Sequence, residues 1–234
     1  MSKLYLIPTT LGDTAPEQVL PGGTLEALRK LRVFVVEELR SARRFLSAAG
    51  FRGRVEDLEL HVLNEHSTPS EIAALGALFQ KGDVGLLSEA GLPAVADPGA
   101  SLVELCHTLG IAVVPLVGPS SLMLALMASG LNGQSFAFRG YLPAKSEERR
   151  AAIRRMEKDS AAMRQTQIFI ETPYRNDSLL ADFLAGLSGS TRLCVAADLT
   201  LPTETIISLP VSQWRRKADF SIGKRPCVFL ILAQ

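Results

Sequence analysis

Four short runs carry no charged residue at all: Leu4-Tyr5-Leu6-Ile7, Val33-Phe34-Val35-Val36, Val84-Gly85-Leu86-Leu87 and Val113-Val114-Pro115-Leu116. A strand with one wet face alternates apolar and polar residues. A run that is apolar on both faces needs cover on both, and helices laid over a parallel sheet supply it. The segments between the runs read as those helices, over residues 24–31, 41–49 (stopped at Gly50) and 101–109. Thr68-Pro69-Ser70-Glu71 has capping-box spacing with proline at the first helical position, which predicts a helix to about residue 81. Pro8 ends the first run. The first half is therefore expected to be a parallel α/β sheet covered on both sides.

The second half changes character. A helix is expected from Ser121, a strand over 136–138, a charged helix over 146–163, a strand over 168–170 and a helix over 178–187. Residues 193–197, 205–209 and 228–232 read as three strands with no convincing helix between them. Short connections of that kind favour antiparallel pairing. The 234 residues suffice for two small domains. The expected division is an N-terminal α/β domain over 1–117 and a C-terminal mixed α/β domain over 118–234.

Composition excludes several classes. Hydrophobic residues make up 47% and charged residues 21%, which argues against disorder. A net charge of +1 argues against binding a polyanion by bulk charge. No apolar run approaches the roughly 18–20 residues that span a bilayer. The opening apolar stretch is too short for a signal peptide, so the expected compartment is the cytoplasm. Cys106, Cys194 and Cys227 are scattered among apolar neighbours and read as buried free thiols. With His61, His66 and His107 equally dispersed, no metal site is expected.

Four loops follow strand ends, where open α/β sheets place their ligands. The first runs from Pro8 to Asp13 and is equally readable as a plain turn. The second, residues 88–99, holds two glycines, two prolines and the carboxylates Glu89 and Asp97, a longer and stiffer loop than a simple connection needs, and reads as a ligand loop. The third, Gly118-Pro119-Ser120-Ser121, precedes an apolar helix and can either cap it or bind an anion. In the fourth, Glu171-Thr172-Pro173-Tyr174-Arg175, the carboxylate is either a ligand group or the charge at the start of a helix. The chain lacks the phosphate loop, the dinucleotide glycine loop and the nucleophile elbow.

The same loops resemble those of the tetrapyrrole-methylase superfamily, within it most nearly the small-subunit ribosomal RNA cytidine 2′-O-methyltransferase family. Leu4 to Thr9 with Leu11-Gly12-Asp13 resembles its L-Y-V-V-P-T-P-I-G-N opening, and Glu37-Glu38-Leu39-Arg40 its E-D-T-R. The stretch from Ser88 to Gly99 resembles S-D-A-G-T-P-x-I-x-D-P-G, and Pro115-Leu116-Val117-Gly118-Pro119 resembles V-P-L-P-G-P. Gly140 to Lys145 resembles G-F-L-P-A-K, and Ile170 to Arg175 resembles Y-E-S-x-x-R. These motifs are colinear over nearly the whole chain.

The resemblance implies two α/β domains, a parallel-sheet N-terminal one and a mixed-sheet C-terminal one. It further implies S-adenosylmethionine held in the cleft between them, and a homodimer. Carried over by motif, the cofactor residues are Pro8, Gly91, Leu92, Pro93, Val95, Ser120, Ser121, Glu171, Thr172, Ala196, Ala197, Pro226 and Cys227. A hydroxyl acceptor must lose its proton during transfer, and Glu38, Glu65, His66 and Lys145 are the candidate bases. Each also reads as a solvated charge or a cap.

The chain departs from the family on the acceptor side. Glu38 and Leu39 stand for Asp and Thr, Leu63-Asn64-Glu65-His66 stands for L-H-D-H, and Leu92 stands for Thr. The family also continues past the position of Ala233 into a further segment. Three readings stay open: a ribosomal RNA methyltransferase, a methyltransferase for a tetrapyrrole or other small acceptor, and a cofactor-binding relative without transfer. Arg149, Arg150, Arg154, Arg155 and Lys158 share a helix with Glu147, Glu148 and Glu157, so an ion-paired solvated face is expected there.

Overall fold

The computed structural model describes residues 2–217 and 219–233. It divides into two compact units, Met1–Ser120 and Ser121–Gln234. The first contains β1 (Lys3–Ile7), α1 (Pro16–Val19), α2 (Gly22–Arg29), β2 (Val33–Val36), α3 (Leu39–Leu46), β3 (Glu59–Val62), α4 (Pro69–Ala74), β4 (Val84–Leu87), α5 (Ala100–Thr108) and β5 (Ala112–Pro115). All its strand pairs are parallel, in the order β3-β2-β4-β1-β5.

The central strands explain the charge-free runs. Every residue of β2 and β4 is buried. Phe34, Val36 and Leu87 pack with Leu25 and Leu28 of α2 and Ala42 and Leu46 of α3. Val35, Val84 and Leu86 pack on the other face with Leu75, Leu78, Leu102 and Cys106. Successive side chains of one strand thus enter two different cores, and both must be apolar.

Three local expectations are corrected. The strand β3 was not foreseen, because as an edge strand it carries Glu59 and His61 and is only partly buried. The capping box at Thr68 is formed, with its amide donating to Glu71 Oε2 at 2.7 Å and the Glu71 amide donating to Thr68 Oγ1 at 3.3 Å. The helix it opens stays α-helical only to Ala74, then tightens to a 3-10 turn over Leu75–Gln80. In α3 the start lies at Leu39, ahead of the expected position, because Glu38 caps it.

The second unit contains α6 (Ser121–Ser129), β6 (Phe136–Tyr141), α7 (Ser146–Met163), β7 (Thr166–Ile170), α8 (Asn176–Gly186), β8 (Arg192–Ala197), β9 (Thr205–Pro210), α9 (Val211–Trp214) and β10 (Cys227–Leu232). The short helix α9 interrupts the expected run of strands. The sheet order is β6-β7-β10-β8-β9, with β6 and β7 parallel and the remaining pairs antiparallel. Phe183 of α8 lies between Phe169 and Phe229, at ring separations of 5.5 and 5.6 Å. Trp214 is buried and its indole N–H donates to the Leu193 carbonyl at 2.8 Å.

The charged helix α7 differs from its expectation. Arg149 and Arg150 do not pair along the helix; both reach Asp182 of α8, at 2.5 and 2.6 Å. Glu157 accepts from the Ser188 amide and the Thr191 hydroxyl. Burial pushes the Asp182 carboxyl up, but hydrogen bonds from Arg150 and Arg149 outweigh it and hold the group below its ordinary value. The three cysteines are buried free thiols; burial raises Cys106 and Cys194 to about 11 and pushes Cys227 higher still.

Candidate functional site

In the first unit the carboxyl ends of the strands are level. Ile7 and Val36 both align with Leu87, and Val36 also aligns with Val62. Pro8, Glu37, Leu63 and Ser88 therefore leave the sheet along one edge. The chain order reverses direction between β1 and β4, and the ends of these neighbours are where a doubly wound sheet opens a ligand crevice.

Three loops converge on that edge. The Thr9 amide donates to the Gly91 carbonyl at 2.9 Å, tying the loop after β1 to the loop after β4. Gly91 has φ +75°, a conformation that glycine adopts without strain, and a Cβ there would stand 3.4 Å from the Pro119 carbonyl oxygen. Gly118 packs so closely on Pro8 that a Cβ would lie 2.3 Å from the Pro8 Cβ. Thus Pro8, Gly91 and the segment before Ser120 are brought together. Pro93 is buried, Leu92 half-buried and Val95 exposed between Ala94 and Ala96, both at positive φ. Asp97 pins this strained turn, accepting from the Ala94 and Gly99 amides at 3.1 and 2.6 Å.

Glu37 is the residue that the sequence reading passed over. Its carboxyl lies in the field of the Asp97 carboxyl, beside the loop that carries Glu89. Burial and then the Asp97 charge push Glu37 above its ordinary value, and burial does the same to Asp97. The signal was available: Glu37 directly follows a fully buried strand, and strand-end carboxylates are the ones a fold can place against another.

The second unit assembles its own set. Because β10 runs antiparallel to both neighbours, its amino end lies beside the carboxyl ends of β7 and β8. Cys227 aligns with Ala197, and Val228 aligns with both Ala196 and Ile170. The Asp198 amide donates to the Pro226 carbonyl at 2.9 Å. Glu171, Thr172, Ala196, Ala197, Pro226 and Cys227 thus share one end of the sheet, while Ser121 opens α6. Glu171 is 5% exposed; its Oε1 accepts from the Thr172 amide and the Arg175 guanidinium at 2.7 and 2.6 Å. Its Oε2 is buried with no hydrogen-bond partner among the described residues.

The four candidate bases stand differently. Glu38 is spent on the α3 cap, accepting from the Arg40 and Ser41 amides at 2.8 and 2.6 Å, which lowers its pKa. Glu65 and His66 face each other at 3.6 Å and are largely solvent-exposed. Lys145 precedes α7 and its Nζ lies 3.5 Å from Glu148. Among the described residues no group of three or more His, Cys, Asp or Glu side chains is placed to hold a metal, and no helix is long and apolar enough to cross a membrane.

No family model matches the chain. Among curated proteins, the ribosomal RNA small subunit methyltransferase I of Escherichia coli O157:H7 is 35% identical over 212 residues, covering 90% of this chain and 70% of the relative. Its counterpart from Pseudomonas aeruginosa is 32% identical over 231 residues, covering 97% and 78%. Among solved structures, uroporphyrin-III C-methyltransferase from Thermus thermophilus, complexed with S-adenosylhomocysteine, superposes with a TM-score of 0.59 at 17% identity, covering 99% of this chain and 97% of that one. The methyltransferase CobJ gives a TM-score of 0.64 at 15% identity, covering 100% and 95%. The solved structures share the fold, and the curated relatives share sequence across most of both chains; the chain belongs to the ribosomal RNA small subunit methyltransferase I family.

Proposed function

We propose that the protein transfers a methyl group from S-adenosylmethionine to small-subunit ribosomal RNA, at the 2′-hydroxyl of a cytidine. The observation that carries this reading is its membership in a family whose curated members bear that RNA in their name. The residues present suit the cofactor. Glu171 keeps one buried carboxylate oxygen without a partner, an acceptor ready for the hydroxyl donors of a ribose. Bound S-adenosylmethionine supplies an electrophilic methyl group for in-line attack by an oxygen lone pair.

The chain's own groups then bind, orient and exclude water. Pro8, Gly91, Leu92, Pro93, Val95 and Ser120 are the contacts assigned to the first unit, with Ser121, Glu171, Thr172, Ala196, Ala197, Pro226 and Cys227 from the second. Cys227 acts as a neutral lining group, since its burial keeps the thiol protonated. For the hydroxyl proton we favour Glu65, His66 and Lys145 over Glu38, because their side chains are open to an incoming acceptor while Glu38 is bound by two amides. The same reading carries a homodimer working in the cytoplasm.

Calorimetric titration with S-adenosylmethionine, repeated on Pro93→Ala and Ser120→Ala, tests the cofactor assignment. Transfer of labelled methyl groups to small-subunit RNA tests the acceptor. Saturable binding weakened by those changes, with label recovered in cytidine, is the expected result. A folded protein that leaves the RNA unlabelled while methylating a tetrapyrrole would overturn it.

A further inference from the structure

Within the first unit a hollow of about 270 Å³ opens beside the edge where the strands end. Its walls come from the loop after β1, the exposed side of α3 and the start of the loop after β4, and they include Thr9, Asp13, Ser41, Arg44, Phe45 and Glu89. Thr9 is 3% exposed, and its hydroxyl oxygen has no hydrogen-bond partner among the described residues. A buried hydroxyl left without a partner costs stability, so a lining Thr9 of this kind is poised for a polar ligand. Arg44 of α3 lines the hollow, is exposed and makes no ion pair among the described residues. Phe45 shows part of its ring, and the Ser41 hydroxyl donates to Glu89 Oε1 at 2.9 Å.

These groups match one kind of ligand. An exposed guanidinium suits a phosphate, a half-exposed aromatic ring suits the face of a base, and a carboxylate suits an exocyclic amine. The lining carboxylates Asp13 and Glu89 disfavour a phosphate inside, so the phosphate belongs beside Arg44, with the base inside.

We propose that this hollow is the subsite for a nucleotide of the single-stranded acceptor RNA, with Arg44 on its phosphate, Phe45 against its base, Glu89 accepting from the amine of cytosine, and the Thr9 hydroxyl meeting the nucleotide's polar edge. The assignment rests on the RNA reading given above and names where that RNA is held. A second hollow of about 500 Å³ lies at the amino ends of the strands, lined by Lys30 and Lys81. There Lys30 pairs with Glu26 and Lys81 with Glu59, both at 2.7 Å, so it provides an internal control.

The test measures binding of short oligocytidine and oligouridine RNAs to the full chain over a range of salt concentrations, alongside methyl transfer. Arg44→Ala is expected to weaken RNA binding about tenfold and to reduce the steepness of its salt dependence by roughly 0.7, the loss of one single-strand phosphate contact. Lys30→Ala should leave both unchanged. Glu89→Gln should erase a preference for oligocytidine, and Phe45→Leu should weaken both RNAs alike. Arg44 is exposed, and unchanged cofactor titration in Arg44→Ala shows that the variant is folded. Equal losses in Arg44→Ala and Lys30→Ala would mean bulk charge and overturn the subsite. So would RNA methylation with an unaltered KM in Arg44→Ala, although that result leaves the methyltransferase reading intact. RNA bound through Arg44 but never methylated would keep the subsite and overturn the transfer reading; no RNA binding by the wild type would overturn both.

Discussion

At the scale of single residues, the site depends on a few close approaches. Gly118 admits no side chain, because a Cβ would fall 2.3 Å from the Pro8 Cβ and 2.6 Å from its Cγ. Gly118→Ala should destabilise the chain by about 1–3 kcal/mol, as overpacking does, and weaken cofactor binding in parallel. Urea denaturation and calorimetry check the pair of effects. The Glu37 and Asp97 carboxyls make a titration prediction. Both are pushed up, so the native state holds protons more tightly than the unfolded chain and loses relative stability as pH rises. Glu37→Gln removes one charge from beside Asp97. Its midpoint in urea should equal the wild type's below the ordinary Glu value of 4.5 and exceed it at neutral pH, by at most ~1 kcal/mol because water reaches the pair. A difference that is constant with pH would contradict the raised Glu37 carboxyl.

At the scale of elements, sequence signals worked where they act locally. The capping box was legible because its bonds join residues three apart, and Thr68→Ala should cost about 1 kcal/mol in a denaturant titration. The runs of β2 and β4 were legible because double-sided burial leaves no room for a charge, whereas the run at residues 113–116 falls on the edge strand β5 and is only partly buried. By contrast β3 was hidden, since an edge strand with Glu59 and His61 resembles a loop until a neighbour pairs with it. The ion pairs of α7 were misread for the same reason. Helical spacing offers partners within one helix, but Asp182 lies on α8, and nothing in the spacing of α7 reports that.

At the scale of the whole molecule, the two units each carry structural commitments that cross many residues. Arg149 and Asp182 are both 3% exposed, so breaking their contact strands a buried charge. Arg149→Met should destabilise the protein by about 3 kcal/mol or more, measured by urea or heat, despite the apolar replacement. In the wild type the Asp182 carboxyl sits below its ordinary value of 3.8, so its contribution is present above that pH and fades as pH falls through the lowered value. Cofactor affinity tests the second unit's strand ends. Glu171→Gln should weaken S-adenosylmethionine binding roughly 10–100-fold, the range for a hydrogen bond to a charged group. Unchanged affinity in a folded variant would remove Glu171 from the site.

The sequence by itself determined the parallel covered sheet, the change to a mixed sheet in the second half, and the loops that carry the family's motifs, because burial and backbone chemistry act through near neighbours. Only the tertiary structure decided which strand ends are level, that Glu37 meets Asp97, that Glu38 is a cap, and that Thr9 and Glu171 hold buried oxygens without partners. Those facts depend on register and on helices packed from distant parts of the chain, and register is a property of pairs of segments that neither segment encodes alone.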